Sequence, residues 1–156
     1  MASTPPPTLL VVEDDQALRE FYKVTLRYAG YTVVAVEDGL DALVWLEQHL
    51  PALIVLDLAL VRLSGRDLQR ELRAHAETRD IPIVVVTGDD TSDLNKSELA
   101  CVLHKPVTAP TLVEVVERCL KKGAADGGQA RRERGSGTSS NELLRDDTSV
   151  TRSLLS

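Results

Sequence analysis

The sequence predicts a doubly wound α/β fold, in which helices cover both faces of a five-stranded parallel sheet. Five short apolar runs, rich in β-branched residues, recur along the chain. Strands that are buried on both faces of a parallel sheet have this composition. The segments between the runs have helical periodicity, and right-handed crossovers place such helices on both faces. The expected plan is therefore a β-α unit repeated five times.

The five apolar runs are the predicted strands. They are nearly unbroken, whereas a strand with one wet face would alternate polar and apolar residues. They cover residues 8–12 (TLLVV), 32–36 (TVVAV), 52–56 (ALIVL), 81–86 (IPIVVV) and 101–103 (CVL).

The first helix is predicted to follow the acids at 13–15 and to end before Gly30, which stands where a C-cap is expected. A second helical pattern covers residues 38–50. The first helix is expected to turn an apolar stripe inward. That stripe consists of Leu18, Phe21, Leu26 and Ala29.

The third helix has a clear start signal. Ser64 is expected to cap it, with Asp67 at its third position and Leu68 and Leu72 facing the core. The following segment, DDTSDLNKSELA, has pattern enough for one to two turns at best. A shortened fourth helix is therefore expected.

The last helix is predicted within residues 107–122. Thr108 can cap its start, and Lys121 and Lys122 suit the negative end of its dipole. Its apolar face consists of Leu112, Val115, Val116 and Cys119.

Composition divides the chain into three parts. Residues 1–7 are expected to form a disordered lead stiffened by prolines, and residues 8–122 the folded domain. Residues 123–156 are rich in Gly and Ser and have no aromatic residue. Such a segment has little to bury, so we expect a mostly disordered polar tail.

Composition and charge also exclude several classes of protein. No apolar stretch approaches the roughly 18 residues that span a bilayer, and the start of the chain lacks a secretory signal. We therefore expect a cytoplasmic protein without a membrane partner. The net charge of −6 lies within residues 1–122, which disfavours nucleic acid as a partner. Cys101 and Cys119 lack a metal-binding spacing, which favours reduced core thiols.

Polar side chains follow four of the predicted strands. The acids 13–15 follow the first strand, and Asp57 ends the third. Thr87 ends the fourth strand, and Lys105 comes just after the fifth. In an open α/β sheet, ligands bind outside the carboxyl ends of the strands. The four segments are therefore expected to meet in one site.

Each of these residues alone has a structural interpretation. Asp14 or Asp15 could cap the first helix, Thr87 could cap the short fourth one, and Lys105 could be a surface lysine. Asp57 is harder to explain in this way. A carboxylate at the end of a buried strand needs a partner, because burying an unpaired charge costs several kcal/mol.

The charges predict which partners these acids have. Asp57, Glu13 and Asp14 would repel one another, so a cation is expected among them. Hard carboxylate oxygens suit Mg²⁺, which keeps positions open for phosphate oxygens. Lys105 would add a fixed positive charge and Thr87 a hydroxyl donor. The pattern therefore predicts a site for a phosphoryl group.

These residues give the chain a resemblance to a known family. It resembles the receiver domain of two-component response regulators, in plan a stand-alone chemotaxis-type regulator, over residues 8–122. The matching motifs are VVEDD with Glu13 and Asp14, LIVLDLAL with Asp57, VVVTG with Thr87, and HKP with Lys105.

The resemblance implies a flavodoxin-like fold and a signalling domain that assists its own phosphorylation and dephosphorylation. The phosphoryl group would pass to Asp57 from the phosphohistidine of a sensor histidine kinase or a histidine phosphotransfer protein. Lys105 and Thr87 would hold its oxygens. The implied Mg²⁺ ligands are Asp14 and Asp57 directly, Glu13 through water, and the backbone carbonyl of Ala59.

Some residues depart from the family pattern. Val102 stands where receivers usually carry an aromatic switch residue, and Val61 replaces a common proline. The chain between Thr87 and Lys105 is also a few residues shorter than usual. Ala59 offers no side chain to position a water, whereas Asp89 adds negative charge. We therefore expect the phosphoryl group to be lost slowly.

The predicted function is a single-domain response regulator that signals to a downstream target protein by contact or by phosphorelay. One alternative is a receiver-like adaptor that binds partners without phosphorylation. Another is an enzyme or cofactor carrier on a similar sheet. An aspartyl phosphatase would need a second acid where Ala59 stands, and a flavin carrier would need a phosphate-binding loop in place of the acids 13–15.

Overall fold

The structure is a computed structural model that describes residues 3–134, with side chains over residues 3–123. The chain divides into two units, Met1–Ala124 and Ala125–Ser156. The sheet and the site described below lie in the first unit. Residues 135–156, most of the predicted tail, lie outside the described residues, and the predicted boundary at residue 122 stays a prediction.

Five strands form one parallel sheet, as the sequence predicts. They are β1 (Thr8–Val12), β2 (Thr32–Val36), β3 (Leu53–Leu56), β4 (Ile83–Thr87) and β5 (Cys101–His104). Their order across the sheet is β2-β1-β3-β4-β5, which is that of flavodoxin-like doubly wound folds. The strand β4 begins at Ile83 rather than at residue 81. One reason is that Pro82 has no N–H to donate to the ladder.

Among the described residues, three α-helices and one 3₁₀ turn connect the strands, and a fourth α-helix follows the last strand. The N-caps of the first three helices are Asp15, Asp38 and Ser64, each accepting a hydrogen bond from a backbone N–H of the first turn. The cap predicted at Ser64 is thereby confirmed. The helices are α1 (Gln16–Tyr28), α2 (Gly39–Leu46), α3 (Gly65–Ala74) and α4 (Ala109–Arg134), and the 3₁₀ turn is Lys96–Glu98.

The helices pack on both faces of the sheet, which confirms the doubly wound fold. Successive strand residues point to opposite faces, so Leu9 and Leu10 belong to different cores. One core lies under α1 and α4. Its buried side chains include Leu9, Val11, Tyr22, Leu26, Leu112 and Val116. The other lies under α2 and α3. Its buried side chains include Leu10, Ala42, Leu46, Leu68 and Leu72.

The inward face predicted for α1 is partly wrong. Phe21 is 39% exposed and Ala29 is exposed, whereas Tyr22 is fully buried. The stripe that faces the sheet runs through Leu18, Tyr22 and Leu26, which are spaced four residues apart. The predicted C-cap is confirmed, since Gly30 has a φ of 105° and its N–H donates to the Arg27 carbonyl at 3.0 Å.

Two other helices end at positions that differ from the prediction. The helix α2 ends at Leu46 rather than near Leu50, and Pro51 disfavours the helical conformation in the residue before it. The last helix, predicted to end at Lys122, continues to Arg134. The alanines and arginines beyond Lys122 favour this extension, whereas Gly123, Gly127 and Gly128 disfavour it, so helix propensity alone does not explain where the helix ends.

The segment after β4 confirms the expectation of a shortened fourth helix. Its helical part within the described residues is the 3₁₀ turn Lys96–Glu98. Two arginines of α3 hold this segment in place. Arg66 Nε donates to Asp93 Oδ2 at 2.8 Å, and Arg73 donates to the Glu98 carbonyl.

Among the described residues, no helix has the length and apolar character needed to cross a membrane.

Candidate functional site

The strand order brings the predicted site residues to one edge of the sheet. Asp57 directly follows β3, which lies between β1 and β4. Glu13 directly follows β1, Thr87 ends β4, and Lys105 directly follows β5. All five strands are parallel, so these positions share the carboxyl edge.

Three carboxylates form a cluster at this edge. Glu13, Asp14 and Asp57 each place one oxygen within 4.8 Å of the oxygens of the other two. Glu13 is 1% exposed and Asp57 is 3% exposed, whereas Asp14 is exposed. Two of the three negative charges are thus held in a poorly solvated place, where mutual repulsion is strong.

The ammonium group of Lys105 joins the two buried carboxylates. Lys105 Nζ lies 3.1 Å from Asp57 Oδ2 and 3.2 Å from Glu13 Oε1. The residues come from separate strand ends, far apart in sequence. Lys105 is therefore not a surface lysine but part of the site.

Burial and charge shift the pKa values of this group. Burial, with repulsion from Asp57, raises the pKa of Glu13 from 4.5 to about 7. Burial alone would lower the pKa of Lys105. The hydrogen bonds to Asp57 and Glu13 outweigh that effect, so the pKa of Lys105 is raised. Lys105 therefore stays a cation at neutral pH.

Backbone contacts fix the position of Asp57. Its N–H donates to the Val12 carbonyl at 3.0 Å, and its Oδ1 accepts from the Ala59 N–H at 3.2 Å. Gly65 packs directly on this backbone, because a Cβ there would overlap the Asp57 carbonyl and lie 2.6 Å from Leu58 Cα. Only glycine fits this approach without movement of the Asp57 and Leu58 backbone.

Thr87 is fully buried at the end of β4, the strand next to β3, which Asp57 follows. Its Oγ1 accepts from the Asp89 N–H at 3.1 Å, and its carbonyl accepts from the Lys105 N–H at 2.9 Å. Thr87 does not cap the 3₁₀ turn, whose cap is Asn95. Among the acids 13–15, it is Asp15 that caps α1. Asp14 instead lies in the cluster with Glu13 and Asp57.

The cluster fits a divalent cation with oxygen ligands. Its donor groups are carboxylates, which Mg²⁺ prefers. Glu13 Oε2 is buried and lies 3.1 Å from Lys105 Nζ, yet it makes no hydrogen bond of acceptable geometry with the described residues. A buried oxygen with unused acceptor capacity is suited to a cation or its water. The ligand roles of the individual residues, including the Ala59 carbonyl, stay predictions.

One ion pair at this edge of the sheet could not be predicted from the sequence. Arg62, in the loop after Asp57, has a φ of 63° and donates from Nε to Asp38 Oδ2 at 2.7 Å. The two residues are 24 positions apart. Neither a motif nor a helical spacing links them, so sequence analysis missed the pair.

The comparison with known families decides which family this site belongs to. The model of the response regulator receiver domain matches residues 9–117. The chain belongs to the response regulator receiver domain family. Receiver domains of this family act in two-component signalling, interact with sensor histidine kinases and bind Mg²⁺ in the active site.

Similar proteins agree with this assignment. The chain is 32% identical over 127 residues to Response regulator MprA from Mycobacterium sp. (strain KMS), covering 79% of this chain and 54% of that protein. The chain thus spans about half the length of this relative. The chain is also 26% identical over 119 residues to the polar-differentiation response regulator DivK from Brucella anthropi, covering 74% of this chain and 97% of DivK.

A solved structure with a metal is also similar. It is the receiver domain of sensor histidine kinase PA1611 from Pseudomonas aeruginosa PAO1, with a magnesium ion coordinated in the active site cleft. The TM-score is 0.67 and the identity 27%, covering 74% of this chain and 98% of that one. The flavodoxin-like fold expected from the sequence is confirmed.

Proposed function

We propose that this receiver domain accepts a phosphoryl group on Asp57 in a Mg²⁺-dependent reaction and signals through contact with another protein or through a phosphorelay. The observation that supports the proposal most directly is the contact of Lys105 Nζ with Asp57 Oδ2 at 3.1 Å, beside two further carboxylates. A carboxylate, a fixed cation and an acidic cluster therefore lie together at one edge of the sheet, which supports a role for Asp57 as nucleophile.

The reaction is an attack of an Asp57 carboxylate oxygen on the phosphorus of a phosphohistidine. The new O–P bond forms as the P–N bond breaks, and the bond's electron pair returns to the imidazole nitrogen. The product is an acyl phosphate. Catalysis of this step requires positioning and charge neutralisation rather than a proton relay.

The residues of this chain have separate roles in that step. Backbone contacts from Val12 and Ala59 hold Asp57 in place. The ammonium group of Lys105 neutralises charge on the transferred oxygens, and the hydroxyl of Thr87 donates a hydrogen bond to one of them. Thr87 can donate in this way while its Oγ1 still accepts from the Asp89 N–H, because a hydroxyl is both a donor and an acceptor.

When bound, Mg²⁺ would further neutralise the phosphoryl oxygens and help to orient them. Asp14 and Asp57 would hold it directly, Glu13 through water, and Ala59 through its backbone carbonyl. The close approach of the three carboxylates supports this assignment.

The partners follow from the proposed chemistry and the charge. The donor is a sensor histidine kinase or a histidine phosphotransfer protein, and the recipient of the signal is a downstream target protein. The net charge of −6 favours protein partners over nucleic acid. Phosphorelays of this kind operate in the cytoplasm, which we propose as the location of this domain.

A second candidate is a receiver-like adaptor that binds partners without being phosphorylated. Two observations favour it, namely the reduction of the fourth helix to the 3₁₀ turn Lys96–Glu98 and the presence of Val102 at the usual aromatic position. Both lie in the chain between β4 and Lys105, outside the acidic cluster. The adaptor is therefore the weaker proposal.

Intact-protein mass after incubation with phosphoramidate and Mg²⁺ tests the proposal. Wild-type protein should gain one phosphoryl group, and it should gain none after addition of EDTA. Asp57→Asn should gain none under either condition. Glu114→Gln, which changes an exposed carboxylate on α4, should behave as wild type.

A negative result has to be separated from poor use of the small donor. The same measurement is therefore repeated with a phosphorylated histidine phosphotransfer protein. Absence of phosphoryl gain with both donors would overturn the proposal in favour of the adaptor.

A further inference from the structure

An ion pair between the buried carboxylate of Asp38 and the half-exposed guanidinium of Arg62 lies at the carboxyl edge of the sheet and includes neither the nucleophile nor an expected metal ligand. Asp38 is 4% exposed and follows β2, whereas Arg62 lies in the acceptor loop, residues 58–64, which follows Asp57. Since β1 lies between β2 and β3, the pair links the loops on both sides of the strand that precedes Glu13 and Asp14.

Both oxygens of the Asp38 carboxylate accept hydrogen bonds. Its Oδ1 accepts from the Asp41 N–H at 2.9 Å, which caps α2. Its Oδ2 accepts from Arg62 Nε at 2.7 Å and also from Arg62 Nη2. Asp38 is thus fixed to α2 by one oxygen and to the acceptor loop by the other.

The acceptor loop adopts an unfavourable conformation where it meets Asp38. Arg62 has a φ of 63°, in the left-handed region that side chains other than glycine rarely adopt. The next residue packs closely, since a Cβ on Gly39 would lie 2.8 Å from the Leu63 carbonyl oxygen. Strained residues persist where surrounding contacts hold them, and here the contacts come from Asp38 and α2.

The other end of the acceptor loop is fixed as well. Gly65 packs on the Asp57 and Leu58 backbone, and its N–H donates to the Leu58 carbonyl at 3.1 Å. Ala59 lies between these two fixed points. Its N–H donates to Asp57 Oδ1, and its carbonyl is the proposed backbone ligand of the metal.

We propose that the Asp38–Arg62 ion pair is a positioning device that sets the conformation of the acceptor loop, and thereby the orientation of the Ala59 peptide toward the metal. This inference rests on the proposed function for its link to Mg²⁺. Its structural part, control of the loop, stands on the contacts alone. Neither residue touches the reacting atoms.

Two substitutions separate the ion pair from the other roles of these residues. Arg62→Gly removes the guanidinium and suits a positive φ, so it relieves strain instead of adding it. Asp38→Asn removes the charge and keeps an equally good N-cap for α2. Arg70→Ala is the matched control. It removes another arginine that pairs with an aspartate, Asp67, on the exposed surface of α3.

The first readout uses the metal-free full chain. Hydrogen–deuterium exchange of peptides covering residues 58–65 should become faster in Arg62→Gly and in Asp38→Asn. Exchange in the five strands of the sheet should not change. The double variant should exchange no faster than either single variant, because both remove the same interaction. Arg70→Ala should match wild type.

The second readout is the Mg²⁺ concentration that gives half the maximal rate of phosphoryl gain from phosphoramidate. Both single variants should raise it about tenfold, as loss of residues that orient metal ligands does. The maximal rate at saturating Mg²⁺ should change little, and Arg62→Lys, which keeps a cation, should restore part of the affinity.

The outcomes separate the inference from the proposed function. Unchanged exchange in residues 58–65 of both variants would overturn the inference. Faster exchange with an unchanged Mg²⁺ requirement would overturn its link to the metal. A wild-type protein that gains no phosphoryl group would overturn the proposed function, while the exchange measurement would still decide whether the pair controls the loop.

Discussion

Lys105 Nζ lies 3.1 Å from Asp57 Oδ2 and 3.1 Å from Glu13 Oε2, so one ammonium group bridges two buried carboxylates from different strand ends. The arrangement keeps two carboxylates at the edge of the sheet where a metal ion would bind and a phosphoryl group would be accepted. In the metal-free domain, the lysine offsets part of the repulsion between the two acids.

Removal of Lys105 is expected to destabilise the metal-free domain. Lys105→Ala leaves two buried carboxylates without their shared cation, which should lower the free energy of unfolding by about 2–4 kcal/mol at pH 8. Urea unfolding in EDTA measures this. The control Lys121→Ala, at an exposed position on α4, should stay within about 0.5 kcal/mol of wild type. Equal unfolding midpoints for the two variants would contradict the bridging role.

The raised pKa of Glu13 predicts how stability depends on pH. The pKa of Glu13 is about 7 in the folded chain and 4.5 for an ordinary glutamate, so the folded chain binds this proton more tightly. The contribution of Glu13 to the free energy of unfolding therefore falls as pH rises from about 4.5 to 7, by about 3 kcal/mol, and levels off above.

The measurement is the difference in unfolding free energy between Glu13→Gln and wild type, followed from pH 4.5 to 8 in EDTA. The difference should grow in favour of the variant as pH rises. Saturating Mg²⁺ should reduce this slope, because a cation stabilises the charged form of Glu13. A difference that does not change with pH would show that the Glu13 pKa is ordinary.

Two glycines near the site should respond differently to a methyl group. Gly65→Ala places a Cβ against the backbone of Asp57 and Leu58, and overpacking of this kind costs about 1–3 kcal/mol or more. A Cβ on Gly88 meets no described atom within 4 Å, so Gly88→Ala should keep wild-type stability. Thermal unfolding of both variants tests the comparison, and equal loss in the two would contradict the close approach at Gly65.

The lifetime of the acyl phosphate should depend on two side chains at the rim of the site. Ala59→Asn adds an amide that can position an attacking water, so the half-life after removal of the donor should shorten. Asp89→Ala removes a negative charge near Thr87, and the half-life of the acyl phosphate should lengthen. Intact mass followed over time measures both. Half-lives equal to wild type in both variants would show that these side chains do not control hydrolysis.

The sequence predicted most of the fold because the strands carry an unambiguous signal. Apolar runs rich in Val and Ile marked all five strands, and Ser64 marked the start of α3. The face of α1 was less certain. Phe21 and Tyr22 are adjacent aromatics that point about 100° apart, and only packing against the sheet decides that Tyr22 is buried.

The site was predictable to the extent that it follows from strand ends. The topology of a parallel sheet alone brings Glu13, Asp57, Thr87 and Lys105 to one edge. The Asp38–Arg62 pair was not predictable, because it depends on a left-handed residue in a loop and on a contact across 24 positions. Long-range ion pairs of this kind leave no periodic trace in a sequence.

Location of the phosphoryl group tests the central claim most directly. After phosphorylation with phosphoramidate and Mg²⁺, sodium borohydride would reduce an acyl phosphate to an alcohol with release of phosphate. Peptide mass mapping should then find the side chain at Asp57 converted to that of homoserine, with no conversion at Asp14 or Glu13. Conversion at another acid, or a phosphorylated protein with Asp57 unmodified, would contradict the account.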